Sequence, residues 1–301
     1  MRVCVVHYSE IALKGKNRSL FEKKLVENIK RKINAKIRRE SGRIIIEDCR
    51  EEISEILRKI PGVKYFALAE VAGLDVEEIK EKALSLAKGR TFKVETKRSN
   101  KRFPLTSIEV NKIVGEYILK KKKDIKVDLK NPETTIFIEI CDEKSYIYTE
   151  KIYGVGGLPC GVSGKVVSLL SGKKSALATF LMMKRGAEVI AVNFSKTNEV
   201  LAYAKKLSEH HKIKLYIIPE IVGRSEMIKI ANEIAKKENA KGIVLGDVVG
   251  ETGDIESLSR DYSLSELPVY TPVICFDRIK YPVEIAERRQ VSKTEVIEFN
   301  C

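Results

Sequence analysis

A glycine-rich segment near the middle of the 301-residue chain separates two parts with different sequence patterns. Five glycines and one proline fall within eleven residues, at Gly154, Gly156, Gly157, Pro159, Gly161 and Gly164. Glycine reaches backbone conformations that are closed to other residues, so such a cluster predicts a linker or a conformationally demanding loop. We therefore place the main domain boundary at residues 154–164.

After this segment, short apolar runs alternate with segments of helical periodicity, which predicts a parallel sheet covered by helices. The predicted strands are 166–170, 189–193, 214–218, 242–245 and 272–276, and the predicted helices are 175–185, 200–210 and 225–238. Crossovers between parallel strands are right-handed, and ligands bind beyond the carboxyl ends of the strands. The pattern predicts a doubly wound α/β domain over residues 165–301.

The first half of the chain has a different order of elements. Strands at 2–12, 35–38, 43–46 and 63–71, with helices at 17–33 and 51–60, give the order βαββαβ of a ferredoxin-like domain over residues 1–73. A second small α+β domain follows over residues 74–153. It has predicted helices at 76–88 and 107–120 and strands at 91–96, 125–129, 135–140 and 145–149.

Positive charge is concentrated in this first half. The formal net charge is +14, and residues 1–150 hold 34 Lys/Arg against 24 Asp/Glu, compared with 22 against 18 in the remainder. A Lys- and Glu-rich surface typical of high-temperature organisms is one interpretation. The uneven distribution favours the other, a polyanionic partner such as RNA.

No apolar run approaches the roughly 18 to 20 residues that a membrane span requires. The first residues enter a strand-like run directly instead of a signal peptide. We therefore expect a cytoplasmic protein without a membrane partner.

Two basic stretches in the first half are candidate RNA contacts. The first lies between a strand and a helix, where the helix N-terminus itself favours phosphate, and contains Lys14, Lys16 and Arg18. The second follows a strand and combines cations with an aromatic ring suited to base stacking: Lys97, Arg98, Lys101, Arg102 and Phe103. The alternative for each stretch is a solvated loop in a basic protein.

The second half contains a candidate anion-binding turn between a strand and a helix. Its residues are Ser171, Gly172, Lys173, Lys174 and Ser175. Backbone N–H groups and a helix dipole at such a turn attract phosphate, and lysines add positive charge. The sequence is not a Walker A motif, and an ordinary strand–helix turn is the alternative.

The six cysteines are scattered singly, and the three histidines lack a metal-ligand spacing. We therefore expect neither a disulfide framework nor a metal site, and we expect most cysteines to be small core residues.

Taken together, these segments resemble one known family, the tRNA 4-thiouridine synthetases, also called thiamine-biosynthesis ThiI proteins. Residues 9–18 are similar to its ferredoxin-like signature. Residues 96–107 with 127–132 resemble a THUMP domain, an RNA-binding module. Residues 153–161 resemble the family linker and residues 181–186 its catalytic domain.

The resemblance implies an ATP-dependent reaction on tRNA. In that family a PP-loop of the form S-G-G-x-D-S binds ATP with magnesium, uridine 8 is adenylated at O4, and a cysteine-borne persulfide displaces AMP. By resemblance, residues 171–175 are the PP-loop and Cys301 carries the sulfur, with Cys160 or Cys275 as a candidate resolving thiol. A persulfide donor such as a cysteine desulfurase and a homodimer are further implied partners.

The stretch that resembles the PP-loop departs from the family pattern. It is one residue shorter, lacks the second glycine, and has Lys174 where the family has aspartate. Two functions therefore stay open: a tRNA sulfurtransferase, and a tRNA-binding paralogue or adaptor without adenylation chemistry. Sulfur transfer for the thiamine thiazole is a third, implied by the family name.

Overall fold

A computed structural model describes residues 2–8, 10–195, 198–219, 223–276 and 295–300. The chain packs into two compact units. The first comprises residues 1–8, 33–58 and 64–154, and the second comprises residues 9–32, 59–63 and 155–301. Among the described residues, no helix has the length and apolar character needed to cross a membrane.

The strands of the described residues, in chain order, are β1 (Arg2–His7), β2 (Ile37–Glu40), β3 (Arg43–Glu47), β4 (Tyr65–Ala72), β5 (Thr91–Arg98), β6 (Lys126–Val127), β7 (Thr134–Ile140), β8 (Ser145–Tyr148), β9 (Ile152–Tyr153), β10 (Lys165–Leu169), β11 (Glu188–Asn193), β12 (Ile213–Ile217), β13 (Ile243–Val244), β14 (Val269–Tyr270) and β15 (Glu295–Phe299). The α-helices are α1 (Arg18–Lys30), α2 (Glu51–Lys59), α3 (Val76–Leu86), α4 (Ser107–Lys121), α5 (Lys173–Lys184), α6 (Glu199–Ser208), α7 (Arg224–Lys237) and α8 (Ile255–Ser263). Two short 3-10 helices, Glu10–Leu13 and Gly15–Asn17, precede α1.

The first unit is built on one nine-stranded sheet in the order β2-β3-β1-β4-β8-β7-β5-β6, in which β9 also pairs with β4. The antiparallel order β2-β3-β1-β4 is the predicted ferredoxin-like arrangement. Because β4 also pairs with β8, the ferredoxin-like strands and those of the following α+β region form a continuous sheet. The predicted fold class is confirmed for this half.

Helices α3 and α4 pack on the β5–β8 part of this sheet around a core that includes Phe92, Val110, Val114 and Ile136. Thr106 fixes the start of α4 through a capping box, because its Oγ1 accepts the Glu109 N–H at 3.3 Å while Glu109 Oε2 accepts the Thr106 N–H at 2.7 Å. The capped start of α4 fixes the end of the basic loop, which connects β5 to α4.

A buried polar cluster joins strands of both parts of this sheet. Glu139 of β7 lies 2.9 Å from His7 Nε2 and 3.0 Å from Arg43 Nη1, and it accepts a hydrogen bond from the Tyr148 hydroxyl at 2.7 Å. Burial alone would raise the pKa of Glu139, but His7, Arg43 and Tyr148 outweigh that effect and lower the pKa to about 2. The cluster therefore contains an ionised carboxylate that is only 3 % exposed.

One expectation about the cysteines is wrong. Cys4 of β1 and Cys49, which follows β3, form a disulfide with a Cα–Cα distance of 5.3 Å. Pairing of β1 with β3 brings the two residues together across 45 positions of sequence, so spacing along the chain carried no signal. Cys141 and Cys160 are buried, as expected of core residues.

The second unit contains a six-stranded sheet in the order β14-β13-β10-β11-β12-β15. The pairs from β14 to β12 are parallel, and β15 is antiparallel to β12. Helices α5, α6 and α7 connect successive strands, so the predicted doubly wound domain is confirmed.

Three elements of the second unit differ from the prediction. The strand predicted at 272–276 is wrong, because those residues form turns closed by Ile274 N–H to Thr271 O and Phe276 N–H to Val273 O, while pairing occurs earlier, at β14. Pro272 has no N–H for a sheet ladder. Helix α8 and strand β15 were not predicted.

Helix α1 packs with the second unit although it precedes most of the first unit in sequence. Asn28 Nδ2 donates to Cys160 O at 3.1 Å, and Lys32 Nζ donates to Ser208 O at 3.3 Å. His210 Nδ1 lies 2.8 Å from Lys59 O. The domain boundaries proposed from sequence follow chain order and stay a prediction.

Candidate nucleotide site and cationic surfaces

A cavity of about 430 Å³ lies in the second unit beyond the carboxyl ends of β10, β11 and β13. It is lined by residues 169–175, 192–195 and 245–247, with Arg224, Met227 and Thr252. Strand β10 has its next strand in sequence on one side and β13 on the other, so strand order reverses at the cavity. In open parallel sheets this switch point is where ligands bind.

All five residues of the predicted anion-binding turn line this cavity. Ser171 and Gly172 precede α5, and their N–H groups both donate to Ser175 Oγ, at 2.8 and 3.0 Å. Ser175 Oγ donates in turn to Gly172 O at 2.9 Å. The first turn of α5, which begins at Lys173, presents further N–H groups and the positive end of the helix dipole.

Gly246, which follows the β13 segment, approaches the first turn of α5 very closely. A Cβ atom at this position would lie 2.4 Å from Ser175 N and 2.5 Å from Ser175 Cα. Both are backbone atoms that cannot move without shifting the helix, so this wall of the cavity requires glycine.

The two lysines of the turn have different environments. Lys173 is exposed, whereas Lys174 forms an ion pair with Glu251 from the segment that follows β13. The carboxylate of Glu251 therefore partly neutralises the positive charge that the sequence places at this turn.

An Arg–Asp cluster at the wall of the cavity was not predicted. Arg224, the first residue of α7, forms ion pairs with Asp247, at 2.5 Å, and with Asp261. Asp247 is 4 % exposed and also accepts a hydrogen bond from the Tyr262 hydroxyl at 2.9 Å. Asp247 follows a predicted parallel strand, and this position could have indicated a site residue. Nothing in the sequence indicates that its partners are Arg224 and Tyr262.

The first basic stretch lies in the second unit, just before and within the first turn of α1. Lys16 is exposed, Lys14 lies over the ring of Phe21 at 5.2 Å, and Arg18 pairs with Glu22 at 2.8 Å. Its placement at a helix N-terminus agrees with the sequence, and its role in binding stays a prediction.

The second basic stretch lies in the first unit and divides into two kinds of residue. Lys97, Lys101 and Arg102 are exposed. Arg98 instead supports the loop, because its Nη1 donates to Phe103 O and Leu105 O, each at 2.9 Å. The stacking role expected for Phe103 is wrong, since the side chain is 4 % exposed and belongs to the core beneath α4.

Cys301 lies outside the described residues. Asn300, the residue before it, lines a smaller cavity of about 230 Å³ with residues that begin β10 and β12, such as Lys165 and Ile213. Of the two candidate resolving thiols, Cys160 is fully buried and its Sγ donates to Met183 O, which argues against that role, whereas Cys275 is exposed.

Three family models match consecutive parts of the chain. They are the ThiI ferredoxin-like domain over residues 3–67, the THUMP domain over residues 74–150, and the thiamine biosynthesis protein (ThiI) over residues 161–219. A probable tRNA sulfurtransferase of Caldanaerobacter subterraneus subsp. tengcongensis is 37 % identical over 95 % of the chain and 85 % of its own length. The chain belongs to the ThiI family of tRNA 4-thiouridine synthetases.

Other relatives of this ThiI-family protein agree. A probable tRNA sulfurtransferase of Acetivibrio thermocellus is 36 % identical over 99 % of the chain and 87 % of its own length. A crystal structure of a 4-thiouridine synthetase–RNA complex with bound ATP superposes with a TM-score of 0.80 at 32 % identity, covering 92 % of this chain and 82 % of that one. The crystal structure of a protein from Pyrococcus horikoshii Ot3 superposes with a TM-score of 0.76 at 33 % identity, and the match covers 91 % of this chain and 95 % of that one.

Proposed function

We propose that this ThiI-family protein is a tRNA sulfurtransferase that uses ATP to activate uridine 8 and replaces its O4 with sulfur carried on Cys301. The observation that supports this most directly is the cavity at the sheet's switch point, which all five residues of the shortened loop line. Relatives named as tRNA sulfurtransferases, and a related structure containing RNA and ATP, supply the substrate classes.

The cavity suits an adenine nucleotide in size and chemistry. Its volume of about 430 Å³ lies within the range typical of small-molecule sites. Apolar residues of the lining, among them Val192, Phe194 and Met227, would hold a base, and the first turn of α5 with Lys173 would hold phosphates. When bound with magnesium, ATP would supply the adenylyl group that activates the uridine oxygen.

The residues of the chain then have separable tasks. The N–H groups at the start of α5 orient the phosphates, and those of Ser171 and Gly172 become available once the Ser175 hydroxyl rotates away. The buried Asp247 holds Arg224 at the wall of the cavity, where its guanidinium faces the same space. A persulfide donor such as a cysteine desulfurase would load sulfur on Cys301, and the outer sulfur would displace AMP from C4 of the uridine. A second thiol would then attack the Cys301 sulfur, which releases the thiolated uridine and leaves a disulfide on Cys301.

The nucleotide site is tested by changing Gly246. The wild-type protein should release pyrophosphate from ATP only when tRNA is present. We expect Gly246→Ala to lower this rate about a hundredfold, because the new Cβ must displace the first turn of α5 by a sizeable fraction of an ångström. Pyrophosphate release and the melting temperature should be measured together.

Gly223→Ala is the matched control, since its Cβ would meet no atom of the described residues within 4 Å and its backbone lies in the extended region. This variant should react like the wild type. Full activity of Gly246→Ala would show that the cavity is not the site of adenylation.

A second candidate function is a tRNA-binding adaptor without adenylation. The contacts of the loop favour it, because Ser175 Oγ already occupies two backbone amides and Glu251 pairs with Lys174. Failure of the wild-type protein to release pyrophosphate while it binds tRNA would select this candidate. Sulfur transfer for the thiamine thiazole is supported only by the description of the family model.

The exposed cations of the β5–α4 loop should contribute to tRNA binding. Reversing the charges of Lys97, Lys101 and Arg102 to glutamate should weaken binding about tenfold at moderate salt, because phosphate contacts release counterions. The same reversal at Lys229, Lys237 and Lys241, exposed cations in the second unit, is the control for net charge. Equal binding by the two variants in a filter-binding titration would place the RNA surface elsewhere.

A further inference from the structure

A second concentration of positive charge lies at the other end of β5 in the first unit. Strand β5 ends at Arg98, next to the loop proposed above to bind tRNA, and begins at Thr91. Around its beginning are six exposed cations, which we name the amino-end patch: Lys88, Arg90, Lys120, Lys121, Lys123 and Lys126.

Hydrogen bonds and strand pairing bring together the two segments of the patch, residues 88–90 and residues 120–126. Lys126 of β6 donates its N–H to Arg90 O at 2.8 Å, and Thr91 pairs with Lys126 in the parallel ladder. Lys122 Nζ, at the end of α4, donates to Ala87 O. Residues separated by about thirty positions in sequence thus share one rim of the sheet.

The local charge balance is positive. Carboxylates near the patch include Asp124, Glu116 one helical turn before Lys120, Glu81, which accepts the Tyr117 hydroxyl, and Glu133, whose Oε2 accepts the backbone N–H of Arg90 at 2.9 Å. Across the part of the chain that the structure describes, none of the six patch side chains forms an ion pair with a carboxylate, and Lys121 lies 5.5 Å from the Tyr117 ring. The dipole at the end of α4 favours Lys120 and Lys121 but does not account for the others.

We infer that the amino-end patch is a second contact surface for the phosphate backbone of the same structured RNA that the β5–α4 loop binds. The inference rests on the proposed tRNA binding. From Thr91 to Arg98 the strand spans about 23 Å at its usual rise per residue. A single phosphate cannot reach both ends, so an RNA that contacts both must present phosphate groups about 23 Å apart.

The composition of the patch favours RNA over a protein partner. Lysine is depleted in protein–protein interfaces, which are enriched in aromatic residues, methionine and arginine. Four of the six patch residues are lysines that belong to one short segment of sequence, and mobile ammonium groups of this kind suit sequence-independent phosphate contacts.

The test compares three variants with the full-length protein and a tRNA transcript. The patch variant carries Lys120→Gln, Lys123→Gln and Lys126→Gln. The loop variant carries Lys97→Gln, Lys101→Gln and Arg102→Gln, and the control carries Lys229→Gln, Lys237→Gln and Lys241→Gln. Dissociation constants are measured between about 0.05 and 0.2 M salt, a range over which phosphate contacts change affinity strongly.

We expect the patch variant to bind tRNA about tenfold more weakly. The slope of the logarithm of the binding constant against the logarithm of the salt concentration should fall by about one for each phosphate contact that is lost. The control should bind like the wild type. A charge-conserving variant with Lys→Arg at the same three patch positions should keep wild-type affinity, which separates loss of charge from loss of structure.

Patch-variant affinity equal to that of the control, while the loop variant is weakened, would overturn the second surface and leave tRNA binding intact. Equal weakening of patch variant and control would also overturn it, because the effect would then follow net charge. Absence of tRNA binding by the wild type would instead refute the proposed function, and the inference with it.

Discussion

Replacing Cys301 with serine should abolish formation of 4-thiouridine, by about a hundredfold or more, and should leave tRNA-dependent release of pyrophosphate unchanged. A persulfide forms on a thiol, and a serine hydroxyl cannot carry the sulfur. Activation of the uridine by ATP precedes sulfur transfer in the proposed reaction and does not use the thiol. Nucleoside analysis of the tRNA by mass spectrometry measures the first quantity and a pyrophosphate assay the second.

The other cysteines supply the controls. Cys4 and Cys49 are bridged, and burial raises the pKa of the Cys141 thiol to about 12, so it remains protonated. Cys160 is fully buried. Cys275 is the remaining free cysteine within the described residues and is exposed, so Cys275→Ser is the informative comparison.

Asn300, the residue before Cys301, and the turn that contains Cys275 lie at opposite edges of the sheet. Strand β15 runs antiparallel to β12, with Phe299 opposite Ile213 at the amino end of β12. Asn300 therefore lies at the edge of the sheet opposite to the nucleotide cavity, whereas the turn that contains Cys275 follows β14, which is parallel to β13. Loss of thiolation in Cys275→Ser together with activity in Cys301→Ser would transfer the sulfur-carrying role to Cys275.

Local patterns predicted most of the fold because they report on single elements. Apolar periodicity located α1, α4 and α7 closely, and the alternation of elements indicated the parallel sheet. Strand β14 was misplaced because an apolar run, Val273 to Phe276, resembles a strand although Pro272 opens a turn there. Strand β15 depends on pairing with β12, a contact between segments about eighty residues apart that periodicity does not encode.

The candidate site was predictable where chemistry lies along the chain and not where it depends on packing. Residues 171–175 are contiguous, so the turn could be recognised. The partners of Lys174 and Arg224 come from segments brought together by the sheet, and no spacing rule finds them. Phe103 shows the converse error, because an aromatic residue among cations suits stacking in sequence but is required by the core in the fold.

Glu139→Gln should destabilise the first unit by about 3–5 kcal/mol, the usual cost of removing one partner from a buried ion pair. Glutamine of similar size leaves the guanidinium of Arg43, whose side chain is 4 % exposed, without its carboxylate partner. The Tyr148 hydroxyl would also lose a charged acceptor. Chemical denaturation followed by circular dichroism measures the free energy of unfolding.

The pH dependence distinguishes this cluster from a simple packing defect. The pKa of Glu139 is lowered from 4.5 to about 2, so its contribution to stability is fully present above the higher value. That contribution, about 3 kcal/mol, is lost as the pH falls from roughly 4.5 towards 2, because the folded protein must then bind a proton that the unfolded chain already holds. Glu139→Gln should therefore lose less stability than the wild type over this range.

Glu143→Gln is the matched control, since Glu143 is exposed in the same unit and lies three residues beyond the end of β7. It should keep both the stability and the pH dependence of the wild type. If Glu139→Gln proved as stable as Glu143→Gln at neutral pH, the polar contacts of Glu139 with His7, Arg43 and Tyr148 would not hold the two parts of the sheet together. Apolar packing between β1, β4 and β8 would then be sufficient for that role.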